Sequence, residues 1–104
     1  MLIRVLGDPG TLRALRLAGL DGRAVGASED ARAAGAAFDE MLSEQDLGIL
    51  LVTEPVAQQI RQRVDAAKLS RHFPLVLEIP ARGVPGEPVD DLVARVARQV
   101  GIAR

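Results

Sequence analysis

The 104-residue sequence has no cysteine, tryptophan or tyrosine, one histidine and one lysine. Without cysteine there are no disulfides, thiolate nucleophiles or zinc–thiolate sites, and a reducing cytoplasm is the expected setting. The lone histidine, His72, has neither a second histidine nor a cysteine with which to hold a metal, and is read as a loop residue ending the third helix. None of Ser28, Ser43 and Ser70 sits in a nucleophile-elbow motif, so no Ser-His-Asp arrangement is indicated. With Phe38 and Phe73 as the only aromatics, ring platforms for stacking bases are missing. Thirteen basic against fourteen acidic side chains leave a formal net charge of −1, so no basic surplus exists to neutralise phosphates and nucleic-acid binding is excluded. Long apolar runs are absent too. The longest, Leu47 to Val52, falls far short of the roughly 20 residues that cross a bilayer, so no direct membrane insertion is expected. Met1-Leu2-Ile3-Arg4-Val5 likewise lacks the basic start and apolar stretch of an export signal.

What remains is an ordinary globular composition, 48% hydrophobic and 26% charged, with a core that must be built from aliphatic residues. Four similar units follow one another. Leu2 to Leu6 reads as a strand, closed by Gly7-Asp8-Pro9. Asp8 can cap a helix and Pro9 suits its first turn, so a helix is predicted from about Pro9 to Ala18. Leu12 and Leu15 would face inward, Arg13 and Arg16 outward, and Gly19 would end it. The second unit has a weak edge strand at Ala24-Val25-Gly26 and a helix capped by Ser28, with Glu29 and Asp30 in the first turn, where the dipole favours negative charge. Ala34, Ala37, Phe38, Met41 and Leu42 fall on one face of that helix.

The third unit is the clearest. Leu47 to Val52 is apolar throughout, as a strand covered on both faces must be. Thr53-Glu54-Pro55 then starts a helix with Val56, Ile60 and Val64 on one stripe and Gln58, Gln59, Arg61, Gln62 and Arg63 toward solvent. In the fourth, Leu75 to Ile79 reads as a strand, followed by a stretch to Pro88 containing Pro80, Gly83, Pro85, Gly86 and Pro88 that resists regular structure. A last helix follows from about Val89, with the apolar stripe Val89, Leu92, Val93, Val96 and Val100.

Strands alternating with helices predict an α/β fold with right-handed crossovers. The expectation is a small doubly wound parallel sheet of four strands, order 2-1-3-4, over residues 1–80, with a linker at 81–88 and a C-terminal amphipathic helix at 89–104. The carboxyl rim of such a sheet is where ligands bind. Here it offers Gly7, Asp8, Gly10, Thr53, Glu54 and Pro80, without the G-x-G-x-x-G spacing or a phosphate-cradling lysine. The related receiver topology needs an acidic pair after the first strand, an aspartate closing the third and a lysine after the fifth. The sequence offers a single Asp8, a third strand ending Val52-Thr53-Glu54, and no fifth strand. Without clustered carboxylates there is no strong magnesium site. No catalytic, cofactor or metal residues are assigned. Glu78, inside an apolar strand, fits either protection of a sheet edge or a polar contact to a partner. The last helix fits either packing back on the sheet or reaching out to another helix.

Several phrases resemble the F subunit of the V/A-type rotary ATPases. They are Arg16-Leu17-Ala18-Gly19-Leu20, Asp46 to Glu54 continuing through Val56-Ala57-Gln58-Gln59-Ile60-Arg61, Pro74 to Pro80 with its Glu-Ile-Pro ending, and Val100-Gly101-Ile102. Leu15 stands where the family has an aromatic, and the loop from Arg82 to Glu87 lacks its tyrosine. The resemblance implies a non-catalytic component of the central stalk, cytoplasmic and peripheral on a membrane-bound ATPase. It would bind the coiled-coil D subunit of that stalk and help couple ATP hydrolysis or synthesis to ion transport. It also implies a regulatory C-terminal helix that reaches toward the catalytic head. Arg16 and the stripe Val89, Leu92, Val93, Val96 and Val100 become the candidate partner-binding residues. The competing expectation is a stand-alone receiver-like signalling or ligand-binding module using the strand rim.

Overall fold

The computed structural model describes residues 2–26, 30–70 and 74–81, together with 91, 94, 95 and 98. Its elements run β1 (Leu2–Gly7), α1 (Pro9–Leu17), β2 (Asp21–Ala24), α2 (Ala31–Leu42), β3 (Leu47–Thr53), α3 (Glu54–Gln59), α4 (Arg61–Ser70) and β4 (Leu75–Ile79). The four strands form one all-parallel sheet in the order β2-β1-β3-β4, as the alternation predicts.

The handedness of parallel crossovers decides which face each helix covers. The step from β1 to β2 runs in one direction across the sheet, and the later steps run in the other. Accordingly α1 is the only described helix on one face, where Leu12, Ala14 and Leu15 meet Val5, Leu51 and Ile79. Helices α2, α3 and α4 share the opposite face. There Phe38, Met41, Val56, Ile60 and Val64 close over Leu6, Leu50, Val52 and Val76. Phe38, Leu6, Leu50 and Val64 are essentially inaccessible. Each such side chain contributes about 1.5–3 kcal/mol relative to exposure, and among the described residues this face holds the larger buried cluster.

Asp8 caps α1 as its position predicts: Oδ2 accepts from the Thr11 amide at 3.0 Å and from the Thr11 hydroxyl at 2.9 Å. Gly19 ends the turn at φ +94°, a left-handed conformation that side chains disfavour.

Three local expectations need correction. The second strand is Asp21–Ala24, not Ala24-Val25-Gly26. It is an exposed edge with no apolar alternation, so the pattern pointed at Val25, which lies just past it and donates to the Gly7 carbonyl at 2.8 Å. Glycine is required at 22, since a Cβ there would sit 1.8 Å from the carbonyl oxygen of Val5, its partner in register. The cap of α2 is Asp30, not Ser28. Asp30 Oδ1 accepts from the Ala33 amide at 3.0 Å, so the helix begins at Ala31 and Asp30 lies outside its first turn. Ser28 itself lies outside the described residues, as does His72. Finally, the single helix expected after β3 is broken. Ile60 leaves helical geometry at φ −124°, ψ 37°, with its amide on the Ala57 carbonyl, and separates α3 from α4. Val56, Ile60 and Val64 nevertheless share one buried stripe across the break.

Candidate interaction surface

At the carboxyl rim of the sheet, where a doubly wound fold would hold a ligand, the centre is tightly packed. Gly7 and Thr53 lie side by side, and a Cβ on Gly7 would meet Thr53 Cγ2 at 2.5 Å. Asp8 is engaged as the cap of α1. Asp8 Oδ1 and Thr53 Oγ1 are buried there without a hydrogen-bond partner. Among the described residues, no cluster of three histidine, cysteine or acidic side chains could hold a metal ion. Neither of two open hollows among those residues is lined by Gly7, Asp8, Thr53 or Glu54.

Among the described residues, ion pairs such as Arg4–Glu44, Arg23–Glu40 and Arg63–Asp39 instead knit neighbouring segments together. Glu78, on the edge strand β4, has side-chain exposure of 21%. Its carboxylate accepts Arg61 Nη1 at 2.6 Å and Nη2 at 2.8 Å, a two-pronged grip, and Lys68 Nζ at 2.6 Å. The Arg61 guanidinium first, and then Lys68, hold its pKa down at about 2 against an ordinary 4.5. Arg61 is correspondingly pushed upward by Glu78 and remains charged at every accessible pH. Glu78 is thus engaged within the chain, binding α4 to β4. Sequence reading flagged the charge but missed its partners, because Arg61 and Lys68 lie 17 and 10 residues away.

Arg16, a predicted partner-binding residue, sits exposed at the end of α1. Its Nε donates to Asp21 Oδ1 at 2.8 Å and its Nη2 reaches the Gly22 carbonyl at 3.4 Å. Arg16, followed by the Gly22 amide, lowers the pKa of Asp21. A partner at this point would share a guanidinium already tied to β2.

The other predicted partner-binding residues, Val89, Leu92, Val93, Val96 and Val100, lie outside the described residues, as does most of the linker. Around them Asp91, Ala94, Arg95 and Arg98 are helical, with Asp91, Ala94 and Arg98 exposed. Arg95 is half-buried and donates from Nη2 to the Ala81 carbonyl at 3.3 Å, which brings Arg95 beside the end of β4.

The larger hollow, about 420 Å³, opens where α3 gives way to α4 and faces the start of α2. Arg32, Arg61, Arg63, Gln58, Gln59 and Gln62 supply its polar wall. Arg63 reaches across α2 to Asp39 because residue 35 is glycine; a Cβ there would stand 2.8 Å from Arg63 Nε. The sequence pattern places Gln58, Gln59, Arg61, Gln62 and Arg63 on a solvent face and gives no sign of Arg32 opposite them. Their convergence depends on the break at Ile60, which no glycine or proline announces.

The sequence matches the family of the ATP synthase (F/14-kDa) subunit over residues 3–96. Among relatives, the V-type proton ATPase F subunit of Neurospora crassa is 36% identical over 110 residues, covering 94% of this chain and 87% of that protein. The A-type ATP synthase F subunit of Methanococcus maripaludis is 34% identical over 98 residues, covering 89% of this chain and 91% of its own length. The V-type proton ATPase F subunit of Bos taurus is 36% identical over 61 residues, 59% of this chain and 50% of that protein.

Proposed function

This chain belongs to the family of the ATP synthase (F/14-kDa) subunit, and from that premise we propose that it is a non-catalytic rotor component of a V/A-type ATPase. In this reading it is fixed to the coiled-coil D subunit in the central stalk and helps couple ATP hydrolysis or synthesis to ion transport. The observation that carries the reading is the likeness along nearly the whole chain to F subunits of both V-type and A-type enzymes.

The fold suits the task. Torque passes through a rotor part only if its body does not yield. A sheet packed by helices on both faces and cross-tied by Arg61, Lys68 and Glu78 resists shear between layers. The place of action is cytoplasmic, on the soluble side of a membrane-bound complex; no described helix is long and apolar enough to cross a membrane. The C-terminal helix is the regulatory arm. With its stripe turned toward a partner, it extends along the shaft toward the catalytic head.

Co-expression with the D subunit of the same genome, followed by size-exclusion chromatography, tests the reading. A stable one-to-one complex is expected. Separate elution at low salt would overturn it.

A further inference from the structure

The surface of a coiled coil sets a requirement for anything that grips it. Its apolar seam is buried between its own helices, and its flanks carry charged residues, commonly glutamate and lysine. A lateral partner therefore needs a polar, charge-selective face. The groove at the α3–α4 break is such a face. Its wall holds the guanidiniums of Arg32, Arg61 and Arg63 and the amides of Gln58, Gln59 and Gln62, with no carboxylate among the described lining residues.

These side chains are not equally committed. Arg61 is gripped by Glu78 and Asp65, and Arg63 is paired with Asp39. Both are thereby held in place, while a guanidinium has five N–H donors and keeps some for a further acceptor. Arg32 is exposed at the start of α2 and has no ion-pair partner among the described residues. Gln58, Gln59 and Gln62 are exposed on the helices opposite. The hollow therefore combines two pre-oriented cations, one uncommitted cation and three amide donors.

We infer that this groove is the docking site for a glutamate-bearing flank of the coiled-coil partner. The inference rests on the rotor reading and deepens it by naming the surface and the chemistry of the contact. Carboxylates of the partner helix enter between Arg32 on one wall and Gln58, Gln59 and Gln62 on the other. Arg61 and Arg63, their charges balanced by Glu78, Asp65 and Asp39, add oriented N–H donors, and Arg32 carries the charge attraction. Contacts of this kind select partner and register and weaken with salt.

The test measures affinity of the full chain for the coiled-coil D subunit over a series of salt concentrations, comparing wild type, the double variant Arg32→Glu with Gln62→Glu, and the double variant Arg13→Glu with Gln45→Glu. Arg13 and Gln45 are exposed and do not line the groove, and their replacement makes the same change in net charge. The groove variant is expected to lose at least tenfold in affinity at low salt and much of the wild-type salt dependence. The control should stay within about twofold, and all three should keep the same circular dichroism spectrum. A groove variant that binds as wild type does would overturn this inference and leave the rotor reading intact. Absence of wild-type binding would overturn both. If inorganic phosphate displaces the coiled-coil partner at constant ionic strength, and raises the melting temperature of wild type but not of the groove variant, the groove is a small-anion site and the inference fails.

Discussion

Glu78 shows what a single charge in an apolar strand can accomplish. Its position beside Leu77 and Ile79 invites the reading that it merely guards a sheet edge. Two cations donated from α4 give it a different task. Because its folded pKa is depressed, its contribution to stability is complete above the ordinary value of 4.5 and fades as pH falls toward about 2. Thermal unfolding of wild type should therefore lose stability between about pH 5 and pH 2 more steeply than that of Glu78→Gln. At neutral pH the same substitution should cost roughly 1–2 kcal/mol, less than the pKa change alone implies, because both cations are partly solvated. Identical stability–pH profiles for the two proteins would show that the ion cluster contributes nothing. The charge was legible in the sequence; its partners were not, since only the docking of α4 beside β4 brings Arg61 and Lys68 to it.

Among the elements, legibility follows the strength of the local signal. β3 announces itself because both its faces are buried and every residue from Leu47 to Val52 is apolar. α1 announces itself because cap, proline and terminal glycine all stand where helix chemistry wants them. The edge strand β2 stays hidden because pairing with β1, and the bare Cα of Gly22 against Val5, hold it without an apolar face. The α3–α4 break is equally silent: the apolar stripe runs through it, and the backbone change at Ile60 follows from packing. The cap of α1 gives the sharpest test at this scale. Asp8→Ala should destabilise the domain by about 0.5–2 kcal/mol, with Asp8→Asn recovering most of the loss. For a domain of this size each kcal/mol corresponds to roughly 4–8 °C in melting temperature, which calorimetry resolves. An unchanged melting temperature for Asp8→Ala would mean that the Thr11 contacts are not what holds the start of α1.

At the scale of the whole molecule, the sheet order follows from the alternation of strands and helices and the handedness of crossovers. The interaction surface does not follow so simply, because it depends on what the chain meets. The C-terminal stripe illustrates the point. Val89, Leu92, Val93, Val96 and Val100 have the spacing of a buried helix face, which serves equally for a sheet or for another helix. Each side chain fully buried on a partner would contribute about 1.5–3 kcal/mol, much of it offset by the cost of association and ordering. In the rotor reading the sheet is self-sufficient and the helix acts outside it. Replacing Leu92 and Val96 together with Asp should then leave the cooperative unfolding of the sheet near its wild-type midpoint. The same variant should weaken binding to the coiled-coil partner or alter the ATPase rate of the reconstituted complex several-fold. Normal assembly together with normal coupled activity would remove the arm from the mechanism. A large drop in the unfolding midpoint would instead make the last helix part of the core. These readouts separate the two roles because one concerns the isolated chain and the other appears only in the complex.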